Sequence, residues 1–527
     1  MSYLRHLIFL RKNPGVVVSV GRSIAKQILL GAITQILIGF RGLIIMPLII
    51  KSAGDSVFGS YVLISSIIIL LLGTSSFGTN YNFRRDLPAA NTYDDRRELL
   101  MSSISFRALT TAIFSLIIIV ITPEIFAFLN QDVPFSPGLL ALWLLGMTIQ
   151  EIVTDYYRYT SRFGVYNLLM VGQIYLHIAA IVGLSFWWNS LSLDQLIALQ
   201  AITLIVFSVP AFVWGVIRET GVSWPSTDWK KFWAGAKLGL PINGEFLVDF
   251  LVAFGDRYLI GLFLTVSAVG QYQAAYALAG LLTFFPKVIS TVLTPALCKL
   301  WDTKNIYAAE QLFFQAVRFY IIIGVPFVVG TLLVGPSLIA VLTTPSIAES
   351  GRWAVALISV GIFFYGFVIL ISSAAFVIRH TKIIIYANIV AVTVNILLNL
   401  VFLQVYPNVS VPAAISIASY GVAFAYALSA VRATFVFTFD VSTIFCVFFA
   451  SFVMAITLWF AGYSPGGIKL ESELFLASKV ALGAVVYFIA LFFAGGLSKA
   501  DLELVFSSFQ RSKEIDECPP KSRQNEL

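Results

Sequence analysis

The sequence predicts an all-α integral membrane protein whose helices cross the bilayer fourteen times. Of its 527 residues, 59% are hydrophobic and 12% are charged, whereas about a quarter of the residues are charged in a soluble domain. Apolar stretches long enough to cross a bilayer, which takes about 20 residues, recur from Ile24 to Gly496. Continuous apolar runs such as Val62 to Gly73 differ from the alternating pattern of a β-barrel.

The distribution of basic residues supports this count, because Lys and Arg are retained on the cytoplasmic side of a membrane. With both termini in the cytoplasm, 26 of the 34 Lys and Arg residues lie in inner segments and four lie in outer segments. A missed or false helix would invert every later loop and remove this bias. Helices are expected at residues 23–50, 56–82, 103–122, 137–160, 164–188, 193–217, 237–263, 267–297, 309–342, 353–378, 383–406, 411–431, 441–462 and 476–497.

A polar stretch after the sixth helix divides the chain into two halves. Six helices, an inner connector and six more helices give two bundles of the same orientation, related by a pseudo-two-fold axis along the membrane normal. A short echo supports duplication: Gly59-x-Tyr61 and Gly270-x-Tyr272 are 211 residues apart. The expected parts are a cytoplasmic segment 1–22, a six-helix bundle 23–217, a connector 218–236, a second bundle 237–431, a helix pair 432–497 and a cytoplasmic tail 498–527.

Two stretches of the chain resemble a known family. They are IIMPLIIKSAGDSVFGSYVLIS from Ile44 to Ser65 and the segment Leu238 to Leu282, which contains Asp256-Arg257, Gly270-x-Tyr272 and Ala274-Ala275-Tyr276. Both resemble the polysaccharide flippases (Wzx-type) of the multidrug/oligosaccharidyl-lipid/polysaccharide exporter superfamily. The resemblance implies transport of an undecaprenyl-pyrophosphate-linked oligosaccharide from the inner to the outer leaflet of a bacterial plasma membrane. It also implies a monomer that contacts membrane lipids and other polysaccharide-assembly proteins.

Basic side chains within the predicted helices are candidates for binding such an anionic cargo. A charge in mid-bilayer is costly, so it faces a cavity or a partner. The basic residues concerned are Arg41, Arg257, Lys287 and Arg318. They either line a cavity that receives the cargo or have their own acidic partners.

Three carboxylates of the seventh helix, Glu245, Asp249 and Asp256, fall on one stripe at 100° per residue. They form either a cavity wall that responds to protons or ions, or fixed pairs with neighbouring helices. His177 is expected to be an interior histidine with satisfied hydrogen bonds, with a proton relay as the alternative. Glu151, Asp155, Arg158 and Arg162 are expected to form surface ion pairs.

Several functions are disfavoured by the sequence. The basic residues form no nucleic-acid-binding surface, and no GxxxxGK[ST] phosphate-binding loop is present. Cys298, Cys446 and Cys518 support neither a metal site nor a disulfide framework, and no cofactor is expected. We expect no enzymatic activity; a membrane-bound polymerase or glycosyltransferase is the alternative from another class. A cation-coupled antiporter or a peptidoglycan-precursor flippase keeps the same fold with another cargo.

Overall fold

The computed structural model is helical at all fourteen predicted positions. It describes residues 14–77, 86–87, 92–128, 136–188, 190–218, 229–432, 435 and 440–497. The helices are α1 (Pro14–Ala53), α2 (Asp55–Ser75), α3 (Tyr93–Phe128), α4 (Pro137–Tyr159), α5 (Phe163–Trp187), α6 (Leu193–Ala211), α7 (Trp229–Phe263), α8 (Val266–Ala279 and Phe284–Asp302), α9 (Ile306–Leu342), α10 (Ala354–Val377), α11 (Lys382–Val405), α12 (Ser410–Arg432), α13 (Val441–Phe460) and α14 (Glu473–Phe493).

Some of these helices are irregular. A π-helical turn, Phe212–Ile217, extends α6, and a 3₁₀ turn, Gly280–Thr283, joins the two parts of α8. A short helix, Pro345–Ser350, follows α9. Several helices begin earlier than predicted: α1 starts at Pro14 and α7 at Trp229, because a helix can continue beyond the apolar span that crosses the bilayer. The predicted tail 498–527 and most of the connector lie outside the described residues.

Thirteen helices, counted over the described residues, are long and apolar enough to cross a membrane. This confirms the predicted fold class and a multi-pass membrane protein. The fourteenth, α7, has 35 residues but differs in composition, because its described part carries Glu245, Asp249, Asp256 and Arg257. The charges that set α7 apart therefore belong to the candidate site.

The same helix pairs are in contact in the two halves. In the first half α1 contacts α5, α4 contacts α6, and α3 contacts α4; in the second half α7 contacts α11, α10 contacts α12, and α9 contacts α10. Small residues allow close approach in such bundles: a methyl group added at Gly361 of α10 would lie 3.1 Å from Ser416 of α12. The matching pairs support the predicted duplication, and the bundle boundaries remain a prediction.

The last two helices pack mainly against α9 of the second half, and one exposed ion pair, Lys51–Glu473 at 3.9 Å, joins α14 to α1. Both α13 and α14 contact α9 as well as each other. Their connecting loop is held to α9 by backbone hydrogen bonds, from Gly466 to the Leu332 carbonyl (3.2 Å) and from the Lys469 N–H to the Ser337 hydroxyl (2.9 Å). The helix pair is therefore an addition to the second half.

Candidate translocation site

The two halves meet through α1, α2, α7 and α8, and we call this contact the seam. At one end, the first turns of α2 and α8 cross at Gly59 and Gly270, which are 211 residues apart. An added methyl group at Gly270 would lie 2.5 Å from the Asp55 carbonyl, and one at Gly59 would collide with the Val266 carbonyl. Since Asp55 and Val266 are also 211 residues apart, the contact is reciprocal, as a two-fold relation between the halves requires.

A hydrogen bond closes this end of the seam. The Ser267 hydroxyl of α8 donates to the Asp55 carboxylate at the start of α2, with an oxygen–oxygen distance of 2.6 Å. Further along, the hydroxyls of Ser66 (α2) and Tyr258 (α7) are 2.7 Å apart. On the other side, a methyl group added at Gly42 of α1 would lie 4.0 Å from Ala277 of α8. The seam thus joins α2 to α7 and α1 to α8.

Arg257 lies within the seam without an acidic partner. Its side chain is buried, with 3% of the residue exposed, and its guanidinium lies over the rings of Phe254 (4.9 Å) and Tyr276 (4.7 Å). Nε donates to the Gln273 amide oxygen at 2.6 Å, and another nitrogen donates to the Ala253 carbonyl. Within the described residues, no carboxylate forms an ion pair with this buried cation.

Arg41 lies on the other side of the same junction. Its neighbour Gly42 approaches Ala277, and Ala277 follows the Tyr276 ring that stacks on Arg257. The Arg41 side chain is half-buried and near enough to Tyr61 and His177 for its charge to act on both. Like Arg257, it has no ion pair in the part of the chain that the structure describes.

Lys287 is the third of the four predicted cargo-binding cations for which the described residues provide no ion pair. It is exposed and follows the 3₁₀ turn that interrupts α8. It is ten residues beyond Ala277, which corresponds to roughly 15 Å along a helix. Arg41, Arg257 and Lys287 thus lie on three different helices of the seam, α1, α7 and α8, and none has an ion pair within the described residues.

Arg318 differs from these three cations because it has an acidic partner, which is the second of the two alternatives considered from the sequence. Its guanidinium donates to the Thr443 hydroxyl and to the Gly496 carbonyl, both at 3.0 Å, and lies 3.8 Å from the Asp440 carboxylate. These partners belong to α13 and to the residues after α14. Arg318 therefore attaches the C-terminal helix pair to α9; its partner is 122 positions away in the chain, where no local pattern reveals it.

The carboxylates of α7 face α11 of the same half. Asn388 donates to Asp249 at 2.8 Å, and Asn399 donates to Asp256 at 3.2 Å. Asp256 also accepts from Tyr272 (2.6 Å) and contacts the Ser416 hydroxyl (3.5 Å). The Asp249–Asn388 and Asp256–Asn399 pairs follow the same order along both helices, as parallel helices require.

The predicted carboxylate stripe contains two environments. Asp256 is buried, whereas Asp249 and Glu245 are exposed side chains, and the charge of Asp249 acts on Glu245. Asp256 forms no ion pair with its neighbour Arg257 among the described residues, although the two charges interact, and its oxygens accept hydrogen bonds from neutral donors. The asparagines of α11 were missed from the sequence, although their spacing at 388, 395 and 399 gives one helical face.

The prediction that Glu151 forms a surface ion pair at the end of α4 is wrong. It forms an ion pair with Arg107 of α3 at 3.3 Å, and the Arg107 side chain is only 5% exposed. Asp155 is also buried. Sequence spacing within α4 could not reveal a partner on another helix.

Comparison with known proteins gives the following likenesses. Residues 55–350, more than half of the chain, match a family described as polysaccharide biosynthesis protein. The probable flippase AglR of Haloferax volcanii is 27% identical over 107 residues, 20% of this chain and 22% of that relative. The chain thus matches about a fifth of that relative's length.

Two solved structures show the same fold. The lipid II flippase MurJ, in an inward closed conformation, superimposes with a TM-score of 0.68 and 17% identity, covering 88% of this chain and 98% of that one. An inward-facing multidrug resistance transporter of the MATE family gives 0.58 and 13% identity, covering 76% and 96%. Together with the family match, these likenesses confirm the resemblance found in the sequence.

Proposed function

The chain belongs to the polysaccharide biosynthesis protein family, and we propose that it is a flippase for lipid-linked oligosaccharides. Its cargo in this proposal is an undecaprenyl-pyrophosphate-linked repeat unit, which moves from the inner to the outer leaflet of a bacterial plasma membrane. The observation that carries the proposal is the set of cations without ion pairs at the seam, Arg41, Arg257 and Lys287. The described hydrogen bonds and ring contacts of Arg257 are all with neutral groups.

The physical argument starts from the cost of Arg257. A buried charge is retained when it is paired or when it serves a ligand. Stacking on aromatic rings and two neutral acceptors stabilise the guanidinium without cancelling its charge. A pyrophosphate would supply the missing anion through charge-assisted hydrogen bonds.

A protein path is needed because the sugar is polar. Each hydroxyl moved into hydrocarbon without a partner costs about 4 to 8 kcal/mol, so a trisaccharide does not cross bare lipid. The lipid chain remains in the bilayer while the halves rock about the seam. With the inside negative, each anionic charge moved outward gains about 2.3 kcal/mol per 100 mV.

The seam contacts support one stage of this cycle. The reciprocal glycine contact and the Asp55–Ser267 hydrogen bond hold the first turns of α2 and α8 together. In the predicted orientation these turns are on the outer side. We assign the structure to a state that is closed to the outside, and export requires these contacts to part.

A second candidate function is a cation-coupled antiporter with the same fold. It is favoured by Asp249 and Asp256, whose contacts with Asn388, Tyr272 and Asn399 are all to neutral groups. In the flippase proposal the same carboxylates, with Glu245, serve ion coupling. In the antiporter they bind the cargo itself, and the cations of the seam have no role in transport.

The test measures transport with Arg257→Ala in proteoliposomes that contain an undecaprenyl-pyrophosphate-linked trisaccharide. Protection of the glycan from an impermeant glycosidase reports flipping. Loss of charge-assisted hydrogen bonds worth about 1.5 to 3 kcal/mol lowers the rate about 10- to 150-fold, and Arg257→Lys restores part of it. Arg352→Ala, which removes an exposed Arg paired with Glu349, is the matched control.

Unchanged flipping by Arg257→Ala and by Arg41→Ala would contradict the cationic site. The antiporter is favoured instead if Asp249→Asn abolishes export of a cationic dye while the Arg variants retain it.

A further inference from the structure

Two consecutive residues of α8, Tyr272 and Gln273, are hydrogen-bonded to the two consecutive charged residues of α7, Asp256 and Arg257. The Tyr272 hydroxyl donates to the Asp256 carboxylate at 2.6 Å. The Gln273 amide oxygen accepts from Arg257 Nε, also at 2.6 Å. In each case a neutral side chain of α8 bonds to a charged side chain of α7, so both charges are held in place without being cancelled by their α8 partner.

The bond to Gln273 helps to fix the orientation of the guanidinium. This group has five N–H donors in one rigid plane. The protein uses Nε for Gln273 and one of the two Nη nitrogens for the Ala253 carbonyl. Its other described contacts are with the rings of Phe254 and Tyr276. The second Nη nitrogen of Arg257 bonds to no residue that the structure describes, and this edge of the guanidinium is left for a ligand.

The neutrality of Gln273 is as important as its oxygen. Since Nε is a donor, the atom that faces it is the amide oxygen and not the amide nitrogen. A glutamate would offer the same oxygen, but it would also bring a negative charge to within 2.6 Å of Arg257 Nε. A buried arginine normally has such a carboxylate partner. Glutamine is the side chain of the same shape that keeps the hydrogen bond and omits the ion pair.

Gln273 lies on the face of α8 that meets the first half. It is three residues after Gly270 and four residues before Ala277, so all three residues lie on one face of the helix. Gly270 approaches the Asp55 carbonyl of α2, and Ala277 approaches Gly42 of α1. The bond between Gln273 and Arg257 is therefore on the seam side of α8, between its two closest approaches to the first half.

We propose that Gln273 is a positioning residue for Arg257, which fixes the guanidinium at the seam without neutralising it. The inference rests on the proposed function, in which Arg257 binds the pyrophosphate of the cargo. Phosphate oxygens accept from the N–H donors that the protein leaves unused. A guanidinium binds phosphate best through two donors in one plane, so a fixed orientation increases the affinity for the cargo.

The test measures flipping by Gln273→Leu and Gln273→Glu in proteoliposomes at a series of concentrations of the undecaprenyl-pyrophosphate-linked trisaccharide. Gln273→Leu removes the bond and keeps the charge, so KM should rise about fivefold, the equivalent of one hydrogen bond. Gln273→Glu keeps the bond and pairs the charge, so KM should rise about 10- to 150-fold. In both variants kcat should stay within about twofold. Gln311→Glu, which adds the same charge at an exposed position of α9, is the matched control and should flip normally.

The order of the two variants distinguishes positioning from packing. If Gln273 only connected α7 to α8, Gln273→Glu would be closer to wild type than Gln273→Leu, because it keeps both the bond and the shape. That order, or an unchanged KM in Gln273→Leu, would overturn the inference. Gln273→Glu should also unfold at the wild-type temperature or above, since the guanidinium stabilises the new carboxylate; a variant that does not fold would contradict the proposal.

The role of Gln273 and the proposed function fail in different ways. Normal flipping by Arg257→Ala would remove the cationic site, and the role of Gln273 with it. Loss of flipping in Arg257→Ala combined with a wild-type KM in Gln273→Glu would leave the cationic site in place and overturn only the role of Gln273.

Discussion

Replacing Gly270 with alanine should open the seam at its outer end. The added methyl carbon would lie 2.5 Å from the Asp55 carbonyl oxygen and 3.2 Å from the Gly59 nitrogen. A carbon–oxygen contact normally needs about 3.3 Å, so α2 and α8 must separate by roughly 0.8 Å. Both opposing atoms belong to the backbone, which cannot rotate away as a side chain could.

Overpacking of this kind costs about 1 to 3 kcal/mol, and the cost falls on the state in which the two turns touch. The equilibrium between closed and open forms should therefore shift by about 5- to 150-fold. The readout is labelling of Ser66→Cys by an impermeant thiol reagent added outside whole cells. Cys298, Cys446 and Cys518 are replaced by alanine to remove background labelling.

Ser66 is fully buried at the seam, so its labelling rate reports opening. Gly421→Ala is the control, because its added methyl group meets no atom within 4 Å. The reasoning is refuted if Gly270→Ala protein is correctly folded and its Ser66→Cys is labelled no faster than in the control. Faster labelling in both variants would also refute it, since the effect would then be general loosening.

The attachment of the C-terminal helices gives two further predictions. Arg318→Met should lower the free energy of unfolding by about 1.5 to 3 kcal/mol, which is the contribution of hydrogen bonds to a charged group. Flipping per folded molecule should stay within about twofold. A loss of flipping at unchanged stability would contradict this prediction and indicate that Arg318 binds the cargo. Hydrogen bonds from Thr443, and then the nearby Arg318, hold the pKa of Asp440 below its ordinary 3.8. A lowered pKa stabilises the fold above the ordinary value, and this contribution is lost as the pH falls below about 3.8. Thermal unfolding from pH 6 to pH 3 should therefore show an acid-induced loss that is smaller in Asp440→Asn, and equal losses in both proteins would contradict it.

The fold could be predicted from the sequence because crossing a bilayer has a direct signature. Apolar length sets each helix, whereas the side of each loop, predicted from its Lys and Arg, remains a prediction. The starts of α1 and α7 were missed, since the length of the apolar span does not show how far a helix continues beyond the hydrocarbon. The break within α8 at Gly280–Thr283 was also missed, although Gly280 and the following Pro286 are residue types that weaken a helix.

The site was only partly predictable. Because a charge inside a membrane is energetically costly, Arg41, Arg257 and Lys287 could be selected as candidate site residues without knowledge of their neighbours. The same argument selected Arg318, whose partner Asp440 is distant in the chain. The spacing of residues within one helix does not predict a partner on a distant helix. The buried contacts of Tyr61 with Trp143, His177 and Gln200 depend on how four helices meet, which periodicity alone does not give.

The two faces of α7 indicate how the halves move. One face is hydrogen-bonded to α11 of its own half through Asp249–Asn388 and Asp256–Asn399. The other face is aromatic, with Phe250 and Phe254 stacked at 5.1 Å, and among the described residues it has one hydrogen bond to α2, from Tyr258 to Ser66. Separation of α7 from α2 breaks that single bond, whereas separation from α11 exposes carboxylates to hydrocarbon. Because the second cost is much larger, α7 must travel with the second half, and Arg257 travels with it.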